Sequence, residues 1–426
     1  MIRYLFALAL PALSIAPEWA SAYPLDGDAV TGIRRLTHAR LVQAGQLPGP
    51  KQPPGELLSL DQVDLRLLGQ KDLDLPRPDP DLTREVVGLL GSMADRYAIA
   101  VLDVSDPAAP RYAEHGGEVR RNPGSVGKLC AALAVFQALA DIYPQDEAAR
   151  VRVLRDSMIT ADAFVLTDNH SVRLYQPGGK TLIRRPLRVG DRGSLYEFLD
   201  WMLSASSNSA AAVVMQQAML LRHFKTVYPV TPEVQGRFFR DTPRGELARL
   251  YIETFEAPLR RNGLDLKALR QGSFFTREGK RRVPGSGPSY GTARELLKFL
   301  LRMEQGRLVD AFSSREMKRL SYMTERRIRY ASSPALSDAA VYFKSGSLYK
   351  CAPGSACRKY QGTVINFMNS VAVIESPAGS RRLYYLVALM SNVLGKNSAV
   401  DHQTLATRLH RLIEKRHPLR RPVAPR

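Results

Sequence analysis

The sequence predicts a mixed α/β fold of the α+β kind: a mostly antiparallel sheet flanked by helices, with an all-helical subdomain inserted in it. Three observations predict it. Apolar runs of strand length stand early, at 97–115, and again late, at 340–393. The chain between them is dominated by helix-period patterns. Helical segments also precede the first strand and follow the last, so the two sets of strands are expected to share one sheet.

Taken in order, residues 23–82 are rich in Pro, Gly and charge, as in QLPGPKQPPGELLSL and DLPRPDPDL. They read as an N-terminal arm with little core of its own, lying on the body or partly mobile. The periodic pattern starts at DLTREVVGLLGSMADR, a helix that Asp81 or Thr83 would cap. YAIAVLDVS is a buried strand and RYAEHGG its hairpin partner. A loop then leads into the apolar helix of RRNPGSVGKLCAALAVFQALADIY. Turn signals at LTDNHS and YQPGGK interrupt residues 150–193. SLYEFLDWMLSASSNSAAAVVMQQAML reads as helix, break, helix, and RGELARLYIETF as a helix. SYGTARELLKFLLRMEQG is a helix with a capping box, Thr292 to Glu295. AVYFKSGSLY, SVAVIES and RRLYYLVALMSNV are three strands, the last two joined by PAGS, and AVDHQTLATRLHRLIEKR is a closing helix.

The 426 residues and 45% hydrophobic content allow a large buried core. Formal net charge is +20, spread along the chain apart from a basic tail at 416–426. No zinc finger, RNA-binding signature or basic zipper accompanies it, so the charge suits an anionic surrounding rather than nucleic acid. The start, MIRYLFALALPALSIAPEWASAYPLDG, has Arg3, an apolar stretch and the small-x-small site Ala20-Ser21-Ala22, the layout of a cleaved secretory signal over 1–22. That stretch is too short and proline-broken to span a membrane, and no later segment reads as a span, LYYLVALM being strand-sized. The mature chain is expected to be periplasmic or secreted, soluble and monomeric, starting near Tyr23. There Cys351 and Cys357 of CAPGSAC would form a disulfide, while Cys130 reads as a small buried hydrophobe. The seven histidines form no H-x-x-x-H or H-E-x-x-H set, so neither a metal nor another cofactor is expected. Asp168 and His170 read as loop residues that hydrogen-bond locally.

The stretch NPGSVGKL invites two readings. A phosphate-binding loop needs Gly, four residues, then Gly-Lys-Ser/Thr. Asn122 stands where the first Gly belongs and Leu129 where the hydroxyl belongs, so that reading fails. Gly127 is then only a small residue in the first turn. The second reading takes Ser125 and Lys128, three apart on one helical face. A serine is a weak nucleophile until a base accepts its proton. A lysine serves if burial disfavours its charge, and the apolar helix supplies burial. The helix start also favours negative charge developing on the serine oxygen. Alone, S-x-x-K is a common accident.

It is not alone. Ser206-Ser207-Asn208 stands at the break between two helices, and Lys344-Ser345-Gly346 lies within a strand. S-x-x-K, S-x-N and K-[ST]-G in this order, with SNSAA and TARELLKFLLRMEQGRL as flanks, resemble the class A β-lactamase and penicillin-binding-protein superfamily. The resemblance covers residues 83–415 in element order, the expected catalytic domain. It implies a β-lactamase/transpeptidase-like fold with the site between subdomains. It further implies that Ser125 is acylated with Lys128 as base, that Ser206 passes a proton to the leaving nitrogen, and that Asn208 binds the substrate amide. Lys344, with Ser345 and Gly346 alongside, would bind the substrate carboxylate. The N–H groups of Ser125 and Ser347 would form an oxyanion hole worth roughly 3–4 kcal/mol per donor in the transition state.

The pattern departs from class A enzymes in one respect. Those enzymes hydrolyse the acyl-enzyme with the Glu of an E-x-x-L-N loop, and no such loop is present. Its closest match is Glu256-Ala257-Pro258-Leu259, followed by Arg260 rather than Asn, and Glu246 fits less well. The expected function is therefore an exported serine acyl-enzyme hydrolase acting on a β-lactam or a D-Ala-D-Ala-like amide, with Glu256 as a candidate for deacylation. The alternatives are a peptidoglycan DD-peptidase acting on stem peptides, and a protein that binds lactams or wall fragments without turnover.

Overall fold

The computed structural model describes residues 24, 26–325 and 327–418. The leader read at 1–22 and most of the basic tail lie outside these residues. The chain runs through α1 (Arg34–Gln43), α2 (Pro80–Leu90), β1 (Tyr97–Asp103), β2 (Arg111–His115), a 3₁₀ turn (Gly124–Gly127) and α3 (Lys128–Ile142). A hairpin of β3 (Ser171–Tyr175) and β4 (Leu182–Pro186) precedes the helical block: α4 (Leu195–Leu203), α5 (Asn208–Phe224), α6 (Arg244–Phe255), α7 (Ala257–Arg261), α8 (Ala293–Glu304) and α9 (Ala311–Tyr322). The chain then returns to the sheet as β5 (Ala340–Lys350), β6 (Ile365–Ser376) and β7 (Leu383–Asn392), and closes with α10 (Ala399–Arg416).

The main sheet has the order β2-β1-β7-β6-β5, antiparallel throughout. The early and late strands therefore meet in one sheet, as the element order predicts. Strand alternation divides β1 between two cores. Tyr97, Ile99 and Val101 join Leu82 and Val86 of α2 and Leu405, Leu409 and Ile413 of α10. Ala98, Ala100 and Leu102 join the larger core of α3, α4, α5 and α8 on the other side. This mixed α/β body is the predicted fold class. It leaves β5 as the edge strand facing the helical block, where a cleft can form.

Several local expectations are corrected. Asp79, not Asp81 or Thr83, caps α2, accepting from the Asp81 and Leu82 N–H groups ahead of Pro80. At α8 only half of the capping box forms: Thr292 accepts from the Glu295 N–H, while Glu295 Oε1 accepts from the Asp265 N–H instead. The reciprocal box belongs to Ser194 and Glu197 at α4. The run Gly124–Ile142 is, among the described residues, long and apolar enough to cross a membrane, contrary to the expectation that no such segment follows the leader. It is the central core helix, covered by α5, α6 and α9.

The N-terminal arm is anchored more deeply than its composition suggests. Ile33, Leu36, Leu58, Val63 and Leu67 enter the main core. Ion pairs fix it at intervals: Arg34–Glu197 at 2.8 Å, Arg35–Asp200 at 2.5 Å, Glu56–Arg327 at 2.9 Å and Arg66–Glu375 at 2.8 Å. The leucines scattered among the arm's Pro, Gly and charged residues are what dock it on the body. Cys351 and Cys357 are joined, with Cα atoms 5.9 Å apart, in the loop that follows β5. Cys130 is buried in α3, which pushes its thiol up to about 12.

Candidate active site

Three segments far apart in sequence converge at the end of α3. Ser125 lies in the 3₁₀ turn and Lys128 starts α3, so both sit in the first turns of one helical run. Asn122 Oδ1 accepts the Gly124 N–H at 2.8 Å, and Gly124 takes φ +54°, a conformation favourable to glycine. Together they turn the chain sharply into the helix and leave Ser125 half-buried at its mouth.

Lys128 is fully buried, and its Nζ has three oxygens around it. Ser125 Oγ is 2.9 Å away, Ser206 O 2.6 Å and Asn208 Oδ1 2.8 Å. A neutral lysine has two N–H donors and one lone pair. It would donate to the carbonyl and the amide oxygen, neither of which can donate, and present the lone pair to the Ser125 hydroxyl. That arrangement can take a proton from Ser125. The Phe275 ring centroid lies 5.0 Å from Nζ and closes the site on that side.

Ser206 is buried between the two lysines and holds φ +61°, a strained backbone for a non-glycine residue. Its Oγ accepts a hydrogen bond from Lys344 Nζ at 2.8 Å, and its carbonyl accepts from Lys128. A proton at Ser206 Oγ therefore has a neighbouring amine to exchange with. Ser207 caps α5 through the Ala210 N–H. Asp168, from the loop before β3, locks this turn. Its Oδ2 accepts from Ser207 Oγ at 3.1 Å, the Asn208 N–H at 2.7 Å and the Ser209 N–H at 2.9 Å, and Oδ1 lies 2.6 Å from His170 Nδ1. Burial alone would raise the Asp168 pKa. The hydrogen bond and charge of His170, the Ser209 N–H and the charge of Lys128 outweigh burial and hold it well below the usual carboxylate range. Asp168 thus fixes Asn208 against Lys128 from behind.

The opposite wall is β5. Lys344, Ser345, Gly346 and Ser347 pair with Val371, Ser370, Asn369 and Met368 of β6. Gly346 is glycine for a steric reason. A Cβ there would lie 2.1 Å from Pro123 O and 3.0 Å from the Ser125 nitrogen. A Cβ at Gly124 would likewise meet the Ser347 nitrogen at 2.7 Å. This mutual close approach packs the turn that carries Ser125 directly against the β5 segment that carries Ser347.

The structure thus brings together Ser125, Lys128, Ser206, Asn208, Lys344, Ser345, Gly346 and Ser347. Glu256 stands apart from these contacts, at the α6–α7 junction, where its buried Oε1 has no hydrogen-bond partner among the described residues. The segment that does reach the helix start is 271–275. A Cβ on Gly127 would lie 2.2 Å from Gln271 Oε1, the end of a flexible side chain, so the small Gly127 lets Gln271 pack on the helix start. Gln271 donates from Nε2 to Ser273 O, and its backbone carbonyl accepts from Tyr251. Gln271 and Phe275 carry no signal in the sequence, because neither an amide nor a ring marks itself as part of a site. Among the described residues no cluster of three or more His, Cys, Asp or Glu side chains could hold a metal ion.

The sheet, the helical block and the cleft between them make this a β-lactamase/transpeptidase-like fold. The structure aligns with that of PBP-A at a TM-score of 0.50 and 12% identity, over 80% of this chain and 99% of that one. It aligns equally with a β-lactamase from Chitinophaga pinensis DSM 2588 (TM-score 0.50, 14% identity, 79% and 100% of the two chains). The TLA-3 extended-spectrum β-lactamase gives a TM-score of 0.50 at 13% identity, over 78% and 98%. At these identities the likeness is one of fold. No protein-family model matches the sequence, and no curated protein matches it.

Proposed function

We propose that the protein is an exported serine acyl-enzyme, acylated at Ser125 by a β-lactam or a D-Ala-D-Ala-like amide. The observation that carries this reading is the Lys128 amine, 2.9 Å from Ser125 Oγ and also within hydrogen-bond distance of the Ser206 carbonyl and the Asn208 amide oxygen. Ser206 and Lys344 form a route for the proton to the leaving nitrogen, and Asn208 and β5 line the substrate. Export rests on the leader pattern and the Cys351–Cys357 bond.

Within this reading, a penicillin-binding type of enzyme with slow deacylation is favoured over a rapid lactamase. The side chains that reach this turn from segment 271–275 are the Gln271 amide beside Gly127 and the Phe275 ring beside Lys128, neither of which can accept a proton from water. The test is intact-mass measurement after exposure to a penicillin, followed over time. A Ser125-dependent adduct that persists for many minutes is expected. Absence of any adduct with β-lactams and activated esters overturns the acylation reading. Rapid turnover of nitrocefin overturns the slow-deacylation reading.

A further inference from the structure

A cavity of about 730 Å³ lies beside the cleft, and it has its own chemistry. Its walls come from α1 and the segment after it, from the β3–β4 hairpin, from the stretch after α9 and from the loop between β5 and β6. Three connections tie it to the Ser206–Lys344 end of the cleft. Arg329, in its wall, donates to Gly346 O at 2.6 Å. Glu325, also in its wall, lies 3.5 Å from Ser204 Oγ, two residues before Ser206. Ser171 of the wall follows His170, which holds Asp168 behind the Ser207–Ser209 turn.

The lining is basic. Among the described residues it carries Arg173, Arg184, Arg329 and Lys359 against the single carboxylate of Glu325. That carboxylate already faces two guanidinium groups, Arg35 at 3.4 Å and Arg173 at 3.3 Å. Arg329 and Lys359 lie over the Tyr360 ring, at 5.3 and 5.1 Å from its centroid. The rest of the lining mixes polar residues, Gln52, Ser171 and Asn397, with apolar ones such as Val42 and Pro50 from the arm. A wall of cations beside proline and tyrosine suits a carboxylate-bearing peptide: guanidinium groups fork onto carboxylates, and the apolar wall takes the stem between them.

We infer that this cavity is a subsite for an acidic peptide on the leaving-group side of the scissile bond. The side follows from the proposed role of Ser206, which delivers a proton to the leaving nitrogen; the inference rests on that reading. Among the amides of that reading, those whose leaving portion carries further carboxylates beyond the residue after the scissile bond are then preferred. The arm and the hairpin, the segments that build the cavity, set this preference.

The test uses two thioester substrates with the same acyl group. One has a neutral amide on its thiol leaving group, the other a diglutamyl chain. The full-length protein is expected to release the acidic thiol with a kcat/KM at least tenfold higher than the neutral one. In the double variant Arg184→Glu/Lys359→Glu the ratio should fall to one or below. Because the readout is a ratio within one preparation, a general loss of fold or of acylation cancels. No preference in the unaltered protein, or an unchanged preference in the double variant, overturns the subsite. If neither thioester nor a fluorescent penicillin acylates Ser125, the function reading fails first. Calorimetry of a tetraglutamate peptide on the Ser125→Ala protein then decides the cavity: binding that disappears in the double variant supports an acidic-peptide site, and no binding overturns it.

Discussion

The protein buries lysines in two different ways. Lys128 sits at the cleft with its amine on a hydroxyl, a backbone carbonyl and an amide oxygen. Lys318 of α9, equally buried, pairs with the fully buried Glu304 at 2.9 Å, donates to Asp64 O at 2.7 Å and lies 4.3 Å from the Tyr342 ring centroid. A carboxylate partner stabilises the ammonium, so Lys318 is a brace between α8, α9 and the arm. Lys128 has the Ser125 hydroxyl among its neighbours at 2.9 Å, so its amine is placed to exchange a proton with that serine. Burial is common to both lysines; the chemistry of the partner separates brace from base.

The sharpest way to break this comparison is to make the same change at both. Lys128→Met should lower the rate of labelling by a fluorescent penicillin by about 10²- to 10⁴-fold, the usual worth of a general base. Its urea midpoint should move less than that of Lys318→Met, because it strands the Ser206 carbonyl and the Asn208 amide oxygen rather than a directly paired carboxylate. Lys318→Met should do the reverse. It leaves Glu304 buried with its lysine removed and should cost about 3–5 kcal/mol in urea unfolding, with labelling per folded molecule retained. Equal losses of stability at both sites would erase the distinction.

Gly346→Ala tests the wall opposite Lys128. Its methyl would lie 2.1 Å from Pro123 O, so β5 must move away from Ser125. Acylation should fall on the order of 10²-fold, as expected for displacement of a reacting group by about an ångström. Asp168→Asn is a smaller perturbation, because it removes a brace behind Asn208 and leaves the amine and hydroxyl in place. At pH 7 it should cost about 1–2 kcal/mol in urea unfolding, the scale of a helix cap, and slow labelling severalfold. The pH dependence has a definite sign. The folded pKa of Asp168 is depressed, so its contribution is complete above the ordinary carboxylate range, about pH 4, and is lost as pH falls towards the folded value. The stability curves of the original and Asp168→Asn proteins should converge in acid. Divergence there would remove Asp168 from the turn. The smallest expected effect is at Glu256: Glu256→Gln should leave the decay of the acyl adduct within about twofold of its original rate. A tenfold slowing would make Glu256 the deacylation base after all.

The elements that proved legible are those whose cause is local. The strands at 97–115 and 340–392 and the helices α3, α5, α8 and α10 announce themselves by period, and Thr292 caps α8 by a rule that acts over three residues, whereas the caps Asp79 and Ser194 are not among those expected from the sequence. Helix α9 is not legible in the sequence because polar Ser313, Ser314, Glu316 and Lys318 share its buried face with Phe312, Met317 and Leu320; Asp310 caps it through the Ser313 N–H. The hairpin of β3 and β4 was seen only as its turns, since its strands are short and half-exposed.

The site divides along the same line. The sequence by itself determined which chemical groups exist and which share a turn: Ser125 with Lys128, Ser206 with Asn208, Lys344 with Ser345, Gly346 and Ser347. It also determined that a phosphate cradle is absent, because Asn122 and Leu129 are the wrong residues for one. Only the tertiary structure decided that Lys128 faces acceptors while Lys318 faces a carboxylate, that Gln271 and not Glu256 closes on the helix start, and that the arm completes a basic cavity beside Ser206. The physical reason is range. Caps, helical faces and strand alternation are set by neighbours within a few residues, whereas the protonation of a buried amine and the width of a cleft depend on atoms that only folding brings within 3 Å.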